Sequence, residues 1–149
     1  MIDPQLDGIT HVNIYSQGKT ELGRMLSNFY HFKFNTTEGT FNSVEGYWHW
    51  LGIQDCEEKE ILKTLHGYKA KEIGTKLKKR LKSKFDNNFE RKILLAIFGK
   101  SKYYKNLFLS DIGKLPFEHY YNFGGKIVDA KEKYKWMIDG INKIRNYIY

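Results

Sequence analysis

The 149 residues are 41% hydrophobic and 16% aromatic, enough apolar material for a packed core in a single domain, 1–149, and too much for a disordered chain. Lys and Arg number 25 against 17 Asp and Glu, so the net charge of +8 favours anionic partners such as nucleic acid or nucleotide phosphates. The single cysteine, Cys56, excludes an internal disulfide; no apolar run is long enough to span a membrane and the N-terminus lacks signal architecture, which predicts a cytoplasmic protein with no membrane partner.

In chain order, "THVNIYS" (10–16) alternates and is β-rich, predicting a short strand. "FKFNTTEGTFNS" (32–43) predicts a hairpin with Glu38-Gly39 near its turn. A helix is expected next, with Ser43 as N-cap and Val44, Tyr47, Trp48 and Leu51 on one apolar face. Glu45 falls at the edge of that stripe, beside Trp48 and Gly52. From residue 57 the pattern is mostly helical. Gly67 is expected to stop one helix, and 69–85 to form another with a seam of Ala70, Ile73, Leu77 and Leu81. Two more helices follow. The segment 115–129, with Pro116, Gly124 and Gly125, is expected to be a loop. The closing helix has Asp129 and Glu132 spaced as a capping pair, with Tyr134, Met137, Ile138, Ile141 and Ile148 on its buried face. The expected fold is α+β and predominantly helical, short N-terminal strands packing on a helical body.

Neither a P-loop nor a dinucleotide-binding glycine pattern is present, and the five histidines show no zinc-ligand spacing. No metal or cofactor is expected. On spacing alone, Glu45 reads most simply as an acid in a first helical turn, although a carboxylate among rings also suits a ligand pocket. The run containing Lys76, Lys78, Lys79, Arg80, Lys82 and Lys84 is either a solvated helix face or a phosphate-tracking nucleic-acid surface.

The succession "VNIYS", "LSNFY", "TTEGTFNSVEGYW", a helical middle, "EHYYNFGG" and a closing helix with Arg145 resembles the NADAR family. That family takes in bacterial N-glycosidases of riboflavin intermediates and glycohydrolases that strip ADP-ribose from nucleobases. The resemblance implies that Asn28 and Phe29 face the ligand and that Glu45 is the essential active-site acid. It makes Tyr47 and Trp48 the aromatic pair after that acid. The family histidine following the glutamate is Gly46 here, a lysine near the end of that helix is Gly52, and a tryptophan of the basic segment is Phe85. Glu118 stands for a second acid and Tyr121 for a stacking tryptophan.

The implied chemistry is cleavage of an N-glycosidic bond through an oxocarbenium-like state. Glu45 would stabilise that charge or activate water, and Glu118 would assist. Tyr47, Trp48, Tyr121 and Phe85 would stack on base or adenine, and Arg24 and Lys76 would meet phosphates. The +8 charge favours an ADP-ribosylated base in DNA, as in reversal of an ADP-ribosyltransferase toxin, for which a phage countering such a defence is one setting. The alternatives are a small ribosylated base of the riboflavin type, and a non-catalytic module that binds ADP-ribose or nucleic acid.

Overall fold

The computed structural model describes residues 2–149. Among the described residues helices predominate, accompanied by three two-stranded sheets, so the fold is α+β and mainly helical. Its residues gather into two compact units, Met1–Ser27 with Ser101–Tyr149, and Asn28–Lys100. No helix among the described residues is long and apolar enough to cross a membrane.

In the first unit, β1 (Val12–Asn13) pairs in parallel with β4 (Phe117–Glu118). Of the strand expected over 10–16, only these two residues pair with β4. Asn13 extends the pairing with its side chain: Nδ2 donates to the Tyr120 carbonyl and Oδ1 accepts from the Tyr120 N–H, both at 3.0 Å. Asp7 holds the other side, accepting from the N–H groups of Asn13 and Lys19 at 2.9 and 2.8 Å. Helix α1 (Glu21–Leu26) is capped by Thr20, whose hydroxyl accepts from the Gly23 N–H.

The segment read as a loop is in fact a hairpin of β5 (Tyr120–Phe123) and β6 (Lys126–Asp129). Its turn is Gly124-Gly125, both at positive φ (60° and 96°), the conformation that a two-residue hairpin turn requires. Asp129 consequently ends a strand and accepts from the Lys131 N–H, so the expected Asp129–Glu132 capping pair does not form. Helix α6 begins later, at Lys135–Ile148, and buries Met137, Ile138, Ile141 and Ile144. Tyr134 and Ile148 are only half-buried. Arg145 donates to the carbonyls of Gly113 and Leu115, and its guanidinium lies 4.2 Å from the Phe117 ring centroid.

In the second unit, β2 (Phe34–Thr36) and β3 (Gly39–Phe41) form the expected hairpin, with Thr36 opposite Gly39. Helix α2 (Val44–Leu51) follows at once. The expected helix after 57 is a 3₁₀ stretch, Glu58–Thr64, and Gly67 opens α3 (Gly67–Arg80) rather than closing a helix. The reason is its φ of +63°, which turns the chain so that its N–H donates to the Phe29 carbonyl. Ala70, Gly74 and Leu77 are the buried face of α3, while Ile73 is half-buried and Leu81 lies just past the helix end. Helix α4 (Phe89–Tyr103) carries Ile93 and Ile97 at full burial, and α5 (Lys105–Leu109) belongs to the first unit.

Lys100, on α4, is fully buried, and burial pushes its ammonium down to about 7. Between pH 7 and 10.5 the unfolded chain binds a proton at this site that the folded chain has lost, so stability rises with pH across that window. Lys100→Met should remove this slope. In urea melts, the difference in stability between variant and wild type is expected to favour the variant most near pH 7 and to narrow toward pH 10.

Candidate active site

Helix α2 is held along its length, and this fixes Glu45. Ser43 is extended at φ −161°; its hydroxyl oxygen accepts from the Gly46 N–H at 3.0 Å and donates to the Leu65 carbonyl at 2.9 Å. The Glu45 N–H donates to the Asn28 carbonyl at 2.9 Å, so Asn28 steadies the first turn through its backbone. At Gly46 a Cβ would stand 2.4 Å from the Leu62 carbonyl oxygen, and only glycine lets the 3₁₀ stretch pack there. At the far end, the buried Lys59 ammonium donates to the carbonyls of Trp50 and Ile53 at 3.3 and 2.9 Å. It also lies 3.6 Å from the Trp50 ring centroid, a cation–π contact that closes the helix end.

The Glu45 side chain is 14% exposed, and its Oε2 lies 3.0 Å from Nε2 of His49, one turn on. His49 is buried, and its Nδ1 is enclosed with no hydrogen-bond partner among the described residues. The ring rests on Gly74 of α3, where a Cβ would stand 2.3 Å from its Cγ and 2.6 Å from Nδ1. One turn further along α3, Lys78 bends back over Gly52. Its Cε and Nζ lie 3.2 and 3.4 Å from where a Cβ at Gly52 would be. Lys78 is exposed along much of its length. Its ammonium end is nevertheless sheltered enough that burial lowers its pKa, while the charge of Glu45 raises it. Acid, imidazole and ammonium therefore share the seam between α2 and α3.

The neighbouring residues divide sharply. Tyr47 is a core side chain, 2% exposed, packed on Phe34 and Phe41, and its hydroxyl donates to Glu38 at 2.7 Å. Burial and then Glu38 raise the Tyr47 pKa. A ring so enclosed cannot stack on a ligand, which corrects the role expected for it. Trp48 is half-buried and meets Phe89 edge-on at 4.9 Å. Phe89 in turn lines an open cavity of about 310 Å³ with Lys84, Phe85, Asp86, Asn87 and Glu90, and Phe85 is 89% exposed there. Lys92 bridges Glu38 and Asp86 at 2.9 and 2.7 Å. Burial raises the Glu38 pKa, but the hydrogen bonds from Lys92, Tyr47 and Thr37 outweigh it and the net shift is downward.

Searches against family models, curated proteins and solved structures give no match to this chain. The candidate site therefore rests on its own geometry.

Several of the other expected site residues have partners within their own units. Phe29 is half-buried, and its carbonyl accepts from Gly67. In the first unit, Arg24 donates to the Gly18 carbonyl at 2.9 Å, Glu118 pairs with Lys131 at 3.4 Å, and Tyr121 packs edge-on against Tyr15 and His119. Arg24 and Glu118 thus each have a partner within their own unit, as surface and loop charges commonly do. On and just after α3, Lys76, Lys79 and Lys82 are exposed, and Arg80 pairs with Glu58. His49 was not among the expected site residues, although its place four residues after Glu45 is the spacing at which helix side chains meet.

Substituting two of the helical glycines separates close packing from propensity. Gly74→Ala drives a Cβ into the His49 ring and should destabilise the protein by about 1–3 kcal/mol. Gly99→Ala, with nothing within 4 Å of the added Cβ, should stabilise it by about 0.5–1 kcal/mol. Chemical denaturation of both variants at neutral pH measures the contrast.

Proposed function

We propose that the protein is an N-glycoside hydrolase that removes ADP-ribose from nucleobases, with ADP-ribosylated DNA as its substrate. The reading rests on one observation: Glu45 is a largely enclosed carboxylate, held by an imidazole and set beside a sheltered ammonium. In the reaction, the bond between ribose C1 and the base nitrogen breaks and its electron pair leaves with the base. Positive charge builds on C1 and the ring oxygen, and a carboxylate close to it stabilises that state. Water then adds to C1 and gives up a proton to Glu45, and a proton passes from Glu45 through solvent to the nitrogen of the departed base, which returns the carboxylate to its ionised form. Lys78 would meet the phosphates, and the exposed Lys76, Lys79 and Lys82 would track a polyanionic backbone. Trp48 and Phe85, unlike Tyr47, have ring surface left to stack on a base. The resemblance to the NADAR family supports the same reaction class, and a toxin-reversing, antitoxin-like role in the cytoplasm is the setting it suggests.

A second substrate draws support from the same seam. The resemblance places a histidine at position 46 and a lysine at 52. Here an imidazole from position 49 and an ammonium from position 78 reach the neighbourhood of Glu45 instead. A small ribosylated base of the riboflavin type therefore stands as the alternative.

Incubation with oligonucleotides ADP-ribosylated on each base type, reading released ADP-ribose by mass spectrometry, tests the proposal. Release is expected, and Glu45→Gln should lower it by roughly 10³-fold while ADP-ribose binding survives. Turnover of the riboflavin intermediate alone, unaffected by DNA, would shift the assignment to the alternative. Tight ligand binding with no product in any assay would make the protein a binding module.

A further inference from the structure

The Glu45 carboxylate has two oxygens, and only Oε2 is hydrogen-bonded among the described residues. Its donor cannot easily move. The His49 ring is buried, wedged against the backbone of α3 at Gly74, and carried one helical turn from Glu45 on the same rigid element. Nδ1 has no hydrogen-bond partner among the described residues, so a proton placed there would be buried and unpaired. The neutral ring with its proton on Nε2 leaves no donor unsatisfied, and that proton points at Oε2. Lys78 attracts the same carboxylate but forms no ion pair with it among the described residues, so the ammonium does not fix which oxygen faces outward. The other charges near α2 are engaged elsewhere: Glu38 with Tyr47 and Lys92, Lys59 with the carbonyls at the far end of the helix.

We infer that His49 is a positioning residue: by donating from Nε2 to Oε2 it holds the Glu45 carboxylate in one orientation and presents Oε1 as the oxygen facing the ribosyl carbon. The inference rests on the N-glycosidase reading for its consequence, but not for its geometry. A glutamate has three side-chain torsions and samples many orientations when unrestrained. Holding one oxygen removes that freedom before substrate arrives, and the benefit falls on the chemical step rather than on binding. Gly74 is part of the same device, because it admits the ring.

Two measurements test this. In protein labelled with ¹⁵N at histidine, His49 is expected as a single tautomer protonated on Nε2, its proton protected from exchange in the wild type and lost to exchange in Glu45→Ala. In turnover, His49→Leu should lower kcat by roughly 10–100-fold with KM changed by less than about twofold, and His49→Gln, whose amide can still donate to Oε2, should recover most of the loss. A tautomer protonated on Nδ1, or a kcat in His49→Leu equal to wild type, would overturn the inference. Equal losses in His49→Leu and His49→Gln would do the same, because they would mark the ring as mere packing. Should the wild type turn over no substrate, the functional reading fails while the tautomer and its dependence on Glu45 still decide the hydrogen bond.

Discussion

How closely α2 and α3 approach at Gly74 governs the candidate site. A side chain at that position would occupy the space of the His49 ring, and without the ring in place Glu45 would lose its hydrogen bond. Two other glycines serve the same approach. Gly46 admits the carbonyl of Leu62, and Gly52 leaves room for the end of Lys78. Each glycine in a helix interior or cap costs conformational entropy, and each is offset by packing that no larger residue permits. Gly46 and Gly52 are therefore close contacts in their own right.

The positive charge has several destinations. Lys59 closes the end of α2, Lys92 joins Glu38 to Asp86, Lys100 is buried, and Arg145 gathers carbonyls in the first unit. These cations hold the chain together and present little charge to a partner. Those that do face solvent include Lys76, Lys79 and Lys82 on and just beyond α3, the helix that also seats His49 and shelters Lys78. The same helix thus runs from the seat of His49 to an open basic face.

Local signals were legible where they act over a few residues. The hairpin at 34–41 and the Ser43 cap follow from turn chemistry and a hydroxyl at the right place; of the stripe expected on α2, Val44, Tyr47 and Leu51 are buried, while Trp48 is half-buried and His49 and Trp50 are buried beside them. Glycine misled in two places of positive φ, although the turn at Glu38-Gly39, where Gly39 has a φ of 128°, reads correctly. Gly67 reads as a stop, but its positive φ starts α3, and Gly124-Gly125 reads as loop although it is a hairpin turn. Spacing that fits a capping pair at Asp129 and Glu132 gave way to the pairing of β5 with β6, since strand hydrogen bonds claim Asp129 first.

At the site, the sequence by itself determined that Glu45 lies in the first turn of a helix and that a basic helix follows, because caps, periodicity and charge are properties of neighbours along the chain. It could not separate Tyr47 from Trp48, two adjacent rings of which one is sealed in the core and the other is left half-open. Nor could it bring Gly74 under His49 or Lys78 over Gly52, since residues more than 20 positions apart meet only through the packing of α2 on α3. Burial and partner choice are decided by what lies across the seam, and that is a property of the tertiary structure alone.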